Sequence, residues 1–165
     1  EPTHKAIRHN QFNEYVFNEV IPFIRNATSD DTMVYTSGAS FGALHAINLF
    51  LKRPDIINCA VSISGVYDLT EYTKSFFDDQ VYYNSPEHYL PNLTDEWYLD
   101  KIRASRHIHI YTGSGSYEDP DASKRFAGVL YNKGIWYDLD VWGADITHDW
   151  PTWRTMLPYI IDTKF

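Results

Sequence analysis

The sequence is poor in features that mark several large classes of protein. It has one cysteine, Cys59, so no disulfide can form within the chain, and the apolar segment around it predicts a buried thiol. No apolar run reaches the roughly 18 residues of a membrane-spanning helix, and no basic segment followed by an apolar one opens the chain as in a secretion signal. These features do not determine the cellular compartment, although a reducing, cytoplasmic one is favoured.

Clusters of lysine and arginine are also missing, and the formal net charge is −8. Nucleic acids and anionic membranes are bound through concentrated positive charge. We therefore expect no nucleic acid and no membrane as partner, and a small neutral or cationic molecule as the easier ligand. The oligomeric state is left open.

What the sequence does contain is the composition of one globular domain, with 44% hydrophobic and 22% charged residues. We expect residues 1–165 to form a single domain. Because the chain starts at Glu1 rather than at a methionine, we also expect it to be the C-terminal part of a longer chain.

Helical and extended patterns alternate along the chain. Apolar residues at three-to-four spacing predict helices over residues 10–24, 41–52, 123–134 and 152–164. Short β-rich runs predict strands over residues 32–38, 57–65, 106–113 and 135–143. This order is typical of an α/β fold in which helices cover a mostly parallel sheet, with its strand-to-helix turns at the edge where ligands bind.

The periodicity disappears in an aromatic-rich insertion at about 66–105, which Pro86 and Pro91 interrupt. Its tyrosine, phenylalanine and tryptophan rings could line a substrate pocket, because they combine apolar faces with polar tips. The interpretation we favour is that these rings pack the insertion onto the sheet. A capping role in a turn is as good an interpretation of Asp68 as a place in the site.

The run Gly38-Ala39-Ser40-Phe41-Gly42 lies where a strand is predicted to meet a helix. Glycines two residues to either side remove Cβ atoms that would clash in a sharp turn, so that Ser40 projects its hydroxyl above the sheet edge. The backbone N–H of Phe41, at the start of the helix, could then bind a developing oxyanion. The alternative is a glycine-rich turn whose serine caps the helix.

A serine nucleophile needs a base and an acid that orients it, expected in the chain order Ser, acid, His. His148 follows the last predicted strand and is the candidate base. Glu118 and Asp119 both lie in the loop after the preceding strand; Asp119 also suits the N-cap of a helix whose first residue is Pro120, which makes Glu118 the better candidate acid. His107 and His109 share one face of a strand, but no third metal ligand follows them, so we interpret them as polar residues at the exposed beginning of that strand.

These motifs resemble the esterase D type of α/β-hydrolase over residues 33–161, at the Gly-x-Ser-x-Gly elbow, the strand end Ser64-Gly65 and the closing segment "HDWPTW". The resemblance implies a three-layer sandwich that lacks its N-terminal strands, with Ser40 as nucleophile, His148 as base and Glu118 or Asp119 as acid. It also implies hydrolysis of a small-molecule carboxylic ester or thioester, with no cofactor and no metal. In that family the second oxyanion donor comes from a segment upstream of the first helix seen here, and this sequence has no match for it. The alternatives are a non-catalytic interaction or scaffold protein, or an acyltransferase on the same fold.

Overall fold

The structure, a computed structural model, describes residues 2–74 and 76–165. Its strands form a four-stranded sheet in which every neighbouring pair is parallel, in the order β1-β2-β3-β4. The strands are β1 (Tyr35–Ala39), β2 (Cys59–Ile63), β3 (Ile108–Thr112) and β4 (Asp138–Val141). This arrangement confirms the predicted α/β class with a mostly parallel sheet.

Long helices begin and end close to the predicted positions. They are α3 (Phe41–Lys52), α8 (Pro120–Asn132) and α9 (Trp150–Lys164). The predicted N-terminal helix is longer than expected, because α1 (Pro2–Tyr15), a π-helical turn (Val16–Val20) and α2 (Ile21–Ala27) follow one another without a break.

The two faces of the sheet bury different layers of side chains. Ala60, Ile108 and Ile110 pack on one face together with residues of α3 and α8. On the other face, Val61, Ile63 and Tyr111 pack against α9. Because successive strand residues point to opposite faces, both faces of β2 and β3 are covered, and all five residues of each strand are buried.

The insertion, predicted as irregular, contains short helices in the part of it that the structure describes. These are α4 (Thr70–Thr73), α5 (Asp79–Tyr82), α6 (Pro86–Asn92) and α7 (Glu96–Ala104). Three of these helices, α4 to α6, are four to seven residues long and too short to show a clear apolar stripe. Side-chain caps are seen in α5 and α7: Asp78 accepts a hydrogen bond from Val81 N–H, and Asp95 accepts one from Trp97 N–H.

The carboxyl ends of the strands lie together at one edge of the sheet. Ala39 pairs with Ile63 at the ends of β1 and β2, and Thr112 pairs with Val141 at the ends of β3 and β4. The residue that follows each strand is therefore brought to this edge, which we call the rim.

Candidate active site

Ser40 occupies the sharp turn between β1 and α3. Its backbone has φ 55° and ψ −122°, a conformation that residues with a side chain rarely adopt and that costs on the order of 1–3 kcal/mol. Its N–H donates to Ile63 O at 2.9 Å, and its carbonyl accepts from Ala43 N–H at 3.0 Å. These two bonds hold the strained turn in place.

The two glycines of the turn have different roles. A Cβ atom on Gly38 would lie 2.1 Å from the carbonyl oxygen of Gly42, so only glycine fits there. A Cβ atom on Gly42 would meet no described atom within 4 Å. The prediction that both glycines prevent a clash is therefore wrong for Gly42, because that residue is already within α3 and faces open space.

His148 lies in the loop between β4 and α9, where its backbone N–H donates to Ser116 O at 3.0 Å. Its Nε2 is 2.8 Å from Ser40 Oγ, a hydrogen-bond distance between residues 108 positions apart. The rings of His148 and Trp153 pack edge to face, with their centroids 5.2 Å apart. About a quarter of the His148 side chain is exposed.

Glu118 has a fully buried side chain on the far side of the imidazole. Its Oε1 accepts a hydrogen bond from the Ser64 hydroxyl at 2.6 Å, and its Oε2 accepts one from the Thr112 hydroxyl at 3.1 Å. The same Oε2 lies 3.5 Å from His148 Nδ1, at the long limit for a hydrogen bond. The preceding residue, Tyr117, has a φ of 63°, which turns the loop so that Glu118 points inward.

Asp119 is not part of this arrangement. Its carboxylate accepts hydrogen bonds from Asp121 N–H and Ala122 N–H, both at 3.1 Å, and so caps the N-terminus of α8. The structure thus brings Ser40, His148 and Glu118 together and gives Asp119 the capping role that its position before Pro120 predicts.

Phe41 is the first residue of α3. The N–H groups in the first turn of an α-helix have no acceptor within the helix, and the dipole makes this end electropositive. The N–H of Phe41 therefore belongs to the helix terminus that adjoins Ser40.

A cavity of about 490 Å³ opens beside Ser40. Its walls come from α1, the start of α3 and the insertion, and its lining residues are Arg8, His9, Phe12, Ser40, Phe41, His45, Leu69 and Tyr72. The walls are mainly apolar and aromatic. The sequence did not point to α1 as a wall of the site, because no motif in that helix suggests it.

Two imidazoles in the wall of this cavity stack on each other, with the His9 and His45 centroids 3.9 Å apart. Burial, with smaller contributions from His45 and Lys52, lowers the pKa of His9 to about 2. Burial and Lys52 lower the pKa of His45 to about 4. Both rings are therefore neutral near pH 7.

Aromatic residues of the insertion divide between two places. Tyr72 lines the cavity beside Ser40, whereas Tyr82, Tyr83, Tyr89 and Tyr98 line a separate cavity of about 450 Å³ near Lys52, at the opposite end of α3. Asp68 accepts hydrogen bonds from the Thr70 N–H and hydroxyl, so it forms the turn that was one of its two interpretations.

His107 and His109 were interpreted as polar residues at the exposed beginning of a strand, and this is wrong for His109. Its side chain is only 2% exposed, because β4 and α9 cover it, and its Nδ1 lies 3.2 Å from Asp138 Oδ2. Within residues 2–74 and 76–165, no group of three or more histidine, cysteine, aspartate or glutamate side chains is arranged to hold a metal ion.

Ser64 and Trp153 lie within the motifs that carry the family resemblance, but neither of them, nor Thr112, was given a place in the site from the sequence. Ser64 directly follows β2, and Thr112 is the last residue of β3, so both lie at the rim. Polar side chains at successive strand ends were the signal that could have found these two. Trp153 is on α9, and only the packing of that helix brings it to the site.

A protein-family profile with the description "Putative esterase" matches residues 1–162. The chain belongs to this esterase family. The match covers nearly the whole sequence, including the elbow, the acid loop and the His148 loop.

Solved structures with the same fold include a ferulic acid esterase, at 16% identity and a TM-score of 0.72. Others are an S-formylglutathione hydrolase from Agrobacterium tumefaciens, at 14% identity and a TM-score of 0.61, and MPT51 from Mycobacterium tuberculosis, at 14% identity and a TM-score of 0.59. Each match covers 90% of this chain but only 58%, 55% and 65% of the respective neighbour. At these identities the likeness shows that the fold is that of the α/β-hydrolases.

A search of curated protein sequences returns no significant match. Among the helices in the described ranges, none combines the length and apolar character needed to cross a bilayer.

Proposed function

We propose that this chain carries the catalytic centre of a serine hydrolase that cleaves a small-molecule carboxylic ester or thioester through an acyl-enzyme. Ser40 is the nucleophile, His148 the general base, Glu118 the orienting acid and Phe41 N–H an oxyanion donor. The observation that carries the proposal is the 2.8 Å contact between His148 Nε2 and Ser40 Oγ, with the Glu118 carboxylate on the other ring nitrogen. Membership of the esterase family supports the same chemistry.

The order of proton transfers follows from these contacts. An ionised Glu118 only accepts hydrogen bonds, so the proton of a neutral His148 is directed to Nδ1 and the lone pair of Nε2 faces the Ser40 hydroxyl. Ser40 Oγ attacks the carbonyl carbon of the substrate while its proton moves to Nε2. The C=O π electrons move onto the oxygen, and the Phe41 N–H and the α3 dipole stabilise the oxyanion.

Collapse of the tetrahedral intermediate breaks the bond to the alcohol or thiol, which leaves with the proton from Nε2. Water, activated by His148, then hydrolyses the acyl-Ser40 ester and restores the serine hydroxyl. The cavity beside Ser40 offers apolar and aromatic walls for one side of the substrate. The names of two structural neighbours denote an esterase for ferulic acid and a hydrolase of S-formylglutathione, which fits an ester or thioester as substrate class.

The test is covalent labelling with a fluorophosphonate probe, followed by mass spectrometry of the labelled peptide. We expect the full-length protein to be labelled at Ser40, and we expect Ser40→Ala and His148→Ala to abolish labelling. Ser37→Ala is the matched control, because this exposed serine lies three residues earlier on β1 and touches none of the three groups.

A folded full-length protein that the probe does not label would contradict the proposal and would favour the non-catalytic scaffold. Labelling together with transfer of the acyl group to an added alcohol, in preference to water, would place the protein among the acyltransferases.

A further inference from the structure

Two side chains outside the proposed triad connect its acid and its base. The Ser64 hydroxyl donates a hydrogen bond to Glu118, and Trp153 contacts both Ser64 and His148. Building on the function proposed above, we propose that Trp153 and Ser64 form a positioning relay that orients the Glu118 carboxylate toward His148.

Ser64 sits in a strained backbone conformation immediately after β2. Its φ is 49°, in the left-handed region that glycine and asparagine adopt more easily than serine. Its N–H donates to Tyr111 O at 2.7 Å, so the strand ladder holds the residue at this angle. The turn itself does not require a hydroxyl, but the hydroxyl is bonded to Glu118 Oε1 at 2.6 Å.

The contact with Trp153 determines where the hydroxyl proton of Ser64 points. Trp153 Nε1 lies 3.1 Å from Ser64 Oγ, and an indole N–H can only donate. Ser64 Oγ therefore accepts from Trp153, and its single proton is directed to Glu118. Chains of hydrogen bonds oriented in one direction polarise each other, which strengthens the bond at the acid.

Glu118 is held at both oxygens by this arrangement. Ser64 donates to Oε1, and Thr112 donates to Oε2, the oxygen nearer His148. Buried carboxylates need such donors, because desolvation disfavours their charge. Loss of one donor would let the carboxylate rotate away from the imidazole.

Trp153 also restricts the base directly. Its ring meets the His148 ring at 87°, with centroids 5.2 Å apart. The residue lies in the first turn of α9, whose Met156 and Ile160 are fully buried against the sheet. The helix thus supports the acid and the base through one side chain.

The experiment measures the rate of fluorophosphonate labelling of Ser40, and kcat and KM on a p-nitrophenyl ester, in the full-length protein. The variants are Ser64→Ala, Ser64→Gly, Trp153→Phe and the Ser64→Ala/Trp153→Phe double variant. We expect Ser64→Ala to lower the labelling rate and kcat by roughly 10-fold to 100-fold, the usual effect of losing a hydrogen bond to a charged group, with KM nearly unchanged.

Ser64→Gly separates the relay from a purely structural role. Glycine adopts a positive φ without strain, so a residue needed only for the turn would tolerate it. The relay predicts that Ser64→Gly is as slow as Ser64→Ala although it folds at least as well. Ser62→Ala is the matched control, since this buried hydroxyl on β2 is bonded to Tyr67 and not to Glu118.

The double variant tests whether Trp153 acts through Ser64. If the indole N–H acts through the Ser64 hydroxyl, Trp153→Phe slows the wild-type protein but adds little in the Ser64→Ala background. Trp142→Phe is the control for this change, because its indole N–H donates to Asp140, away from the triad.

Several results would overturn the relay. If the wild-type protein is labelled, and Ser64→Ala and Ser64→Gly are labelled and turn over substrate at the wild-type rates, the relay is rejected and the proposed hydrolase stays intact. An equal effect of Trp153→Phe in both backgrounds would show that the ring acts by packing alone, which also rejects it. A wild-type protein that the probe does not label would reject the proposed function, and the relay with it.

Discussion

Two histidine–carboxylate pairs of the sheet have different surroundings. At the rim, His148 is paired with Glu118, and its other ring nitrogen meets the Ser40 hydroxyl. On the face of the sheet, His109 is paired with Asp138, and its other ring nitrogen lies 3.5 Å from His107 Nδ1. The two pairs share their chemistry, so their neighbours must decide what each can do.

Asp138 also forms an ion pair with a lysine, whereas no lysine or arginine among the described residues is paired with Glu118. Lys164 Nζ lies 2.9 Å from Asp138 Oδ2, and the Tyr111 hydroxyl donates to the same oxygen at 3.0 Å. Although burial opposes it, these bonds lower the pKa of Asp138, and the bond to Asp138 raises the pKa of Lys164. The pair on the face of the sheet connects β3, β4 and α9, whereas the pair at the rim is open to a hydroxyl and a cavity.

The largest contrast is expected from removing the charge of each carboxylate in turn. Glu118→Gln should lower kcat by at least 100-fold, because a neutral amide no longer holds His148 in the tautomer that accepts the Ser40 proton. Asp138→Asn should leave kcat within about twofold and lower the free energy of unfolding by about 1–3 kcal/mol, because the buried His109 loses its charged hydrogen-bond partner.

Kinetics on a p-nitrophenyl ester and urea unfolding measure the two effects. Equal losses of kcat in both variants would remove the distinction between the pairs.

The elbow glycines sharpen the contrast between the rim and the remainder of the fold. Gly38→Ala should destabilise the protein by about 3 kcal/mol or eliminate labelling of Ser40, because its Cβ would overlap the Gly42 carbonyl. Gly42→Ala should fold and be labelled like the wild type, and alanine suits the helix better. Thermal unfolding and probe labelling of both variants test this; a damaging Gly42→Ala would show that our assignment of open space is wrong.

The stacked imidazoles of His9 and His45, which have no carboxylate partner in the contacts described above, should make the stability of the fold depend on pH. In the unfolded chain His9 takes up a proton near pH 6.5, but in the folded protein its pKa is about 2. The unfolded state thus binds more protons as the pH falls below about 6.5, and the folded state loses about 1.4 kcal/mol per pH unit from this group.

Urea unfolding at pH 7.5 and pH 5.0 compares the wild type with His9→Gln, which titrates at neither pH. The wild type should lose about 2 kcal/mol more than the variant between the two pH values. An identical loss in both proteins would mean that His9 is not buried as neutral imidazole.

The smallest effect is expected at Asp119. Asp119→Ala removes the cap of α8 and should lower the free energy of unfolding by about 1 kcal/mol, with kcat within about twofold of wild type. Chemical denaturation and kinetics of this variant, measured beside Glu118→Gln, test the assignment of the acid. A loss of kcat comparable to that of Glu118→Gln would reverse it.

Much of the fold could be predicted from local patterns. The strands β2 and β3 are short apolar runs that are buried throughout, and α3 was predicted with its observed ends because an apolar stripe ends before Pro54. The insertion could not be predicted in this way. The helices α4, α5 and α6 are only four to seven residues long, too short to leave a clear apolar period in the sequence, and α6 and α7 pack against α8 and α3.

The candidate site divides along the same line. Ser40 and His148 could be picked from their positions after strands, because parallel strands bring their carboxyl ends to one rim. The choice between Glu118 and Asp119 rested on capping preference alone. The cavity wall formed by α1 and the contact of Trp153 with Ser64 both bring together residues that are far apart in the sequence. No local pattern predicts such contacts.

By itself, the sequence determined the alternation of strands and helices and the sharp turn at Ser40, since both follow from side-chain spacing and from where glycine and proline stand. Only the tertiary structure decided which carboxylate faces His148, how deeply His109 is buried and what supports the acid. These depend on how α8, α9 and the strands pack, because that packing buries the Glu118 carboxylate beside His148 and leaves the neighbouring Asp119 at the N-terminus of α8.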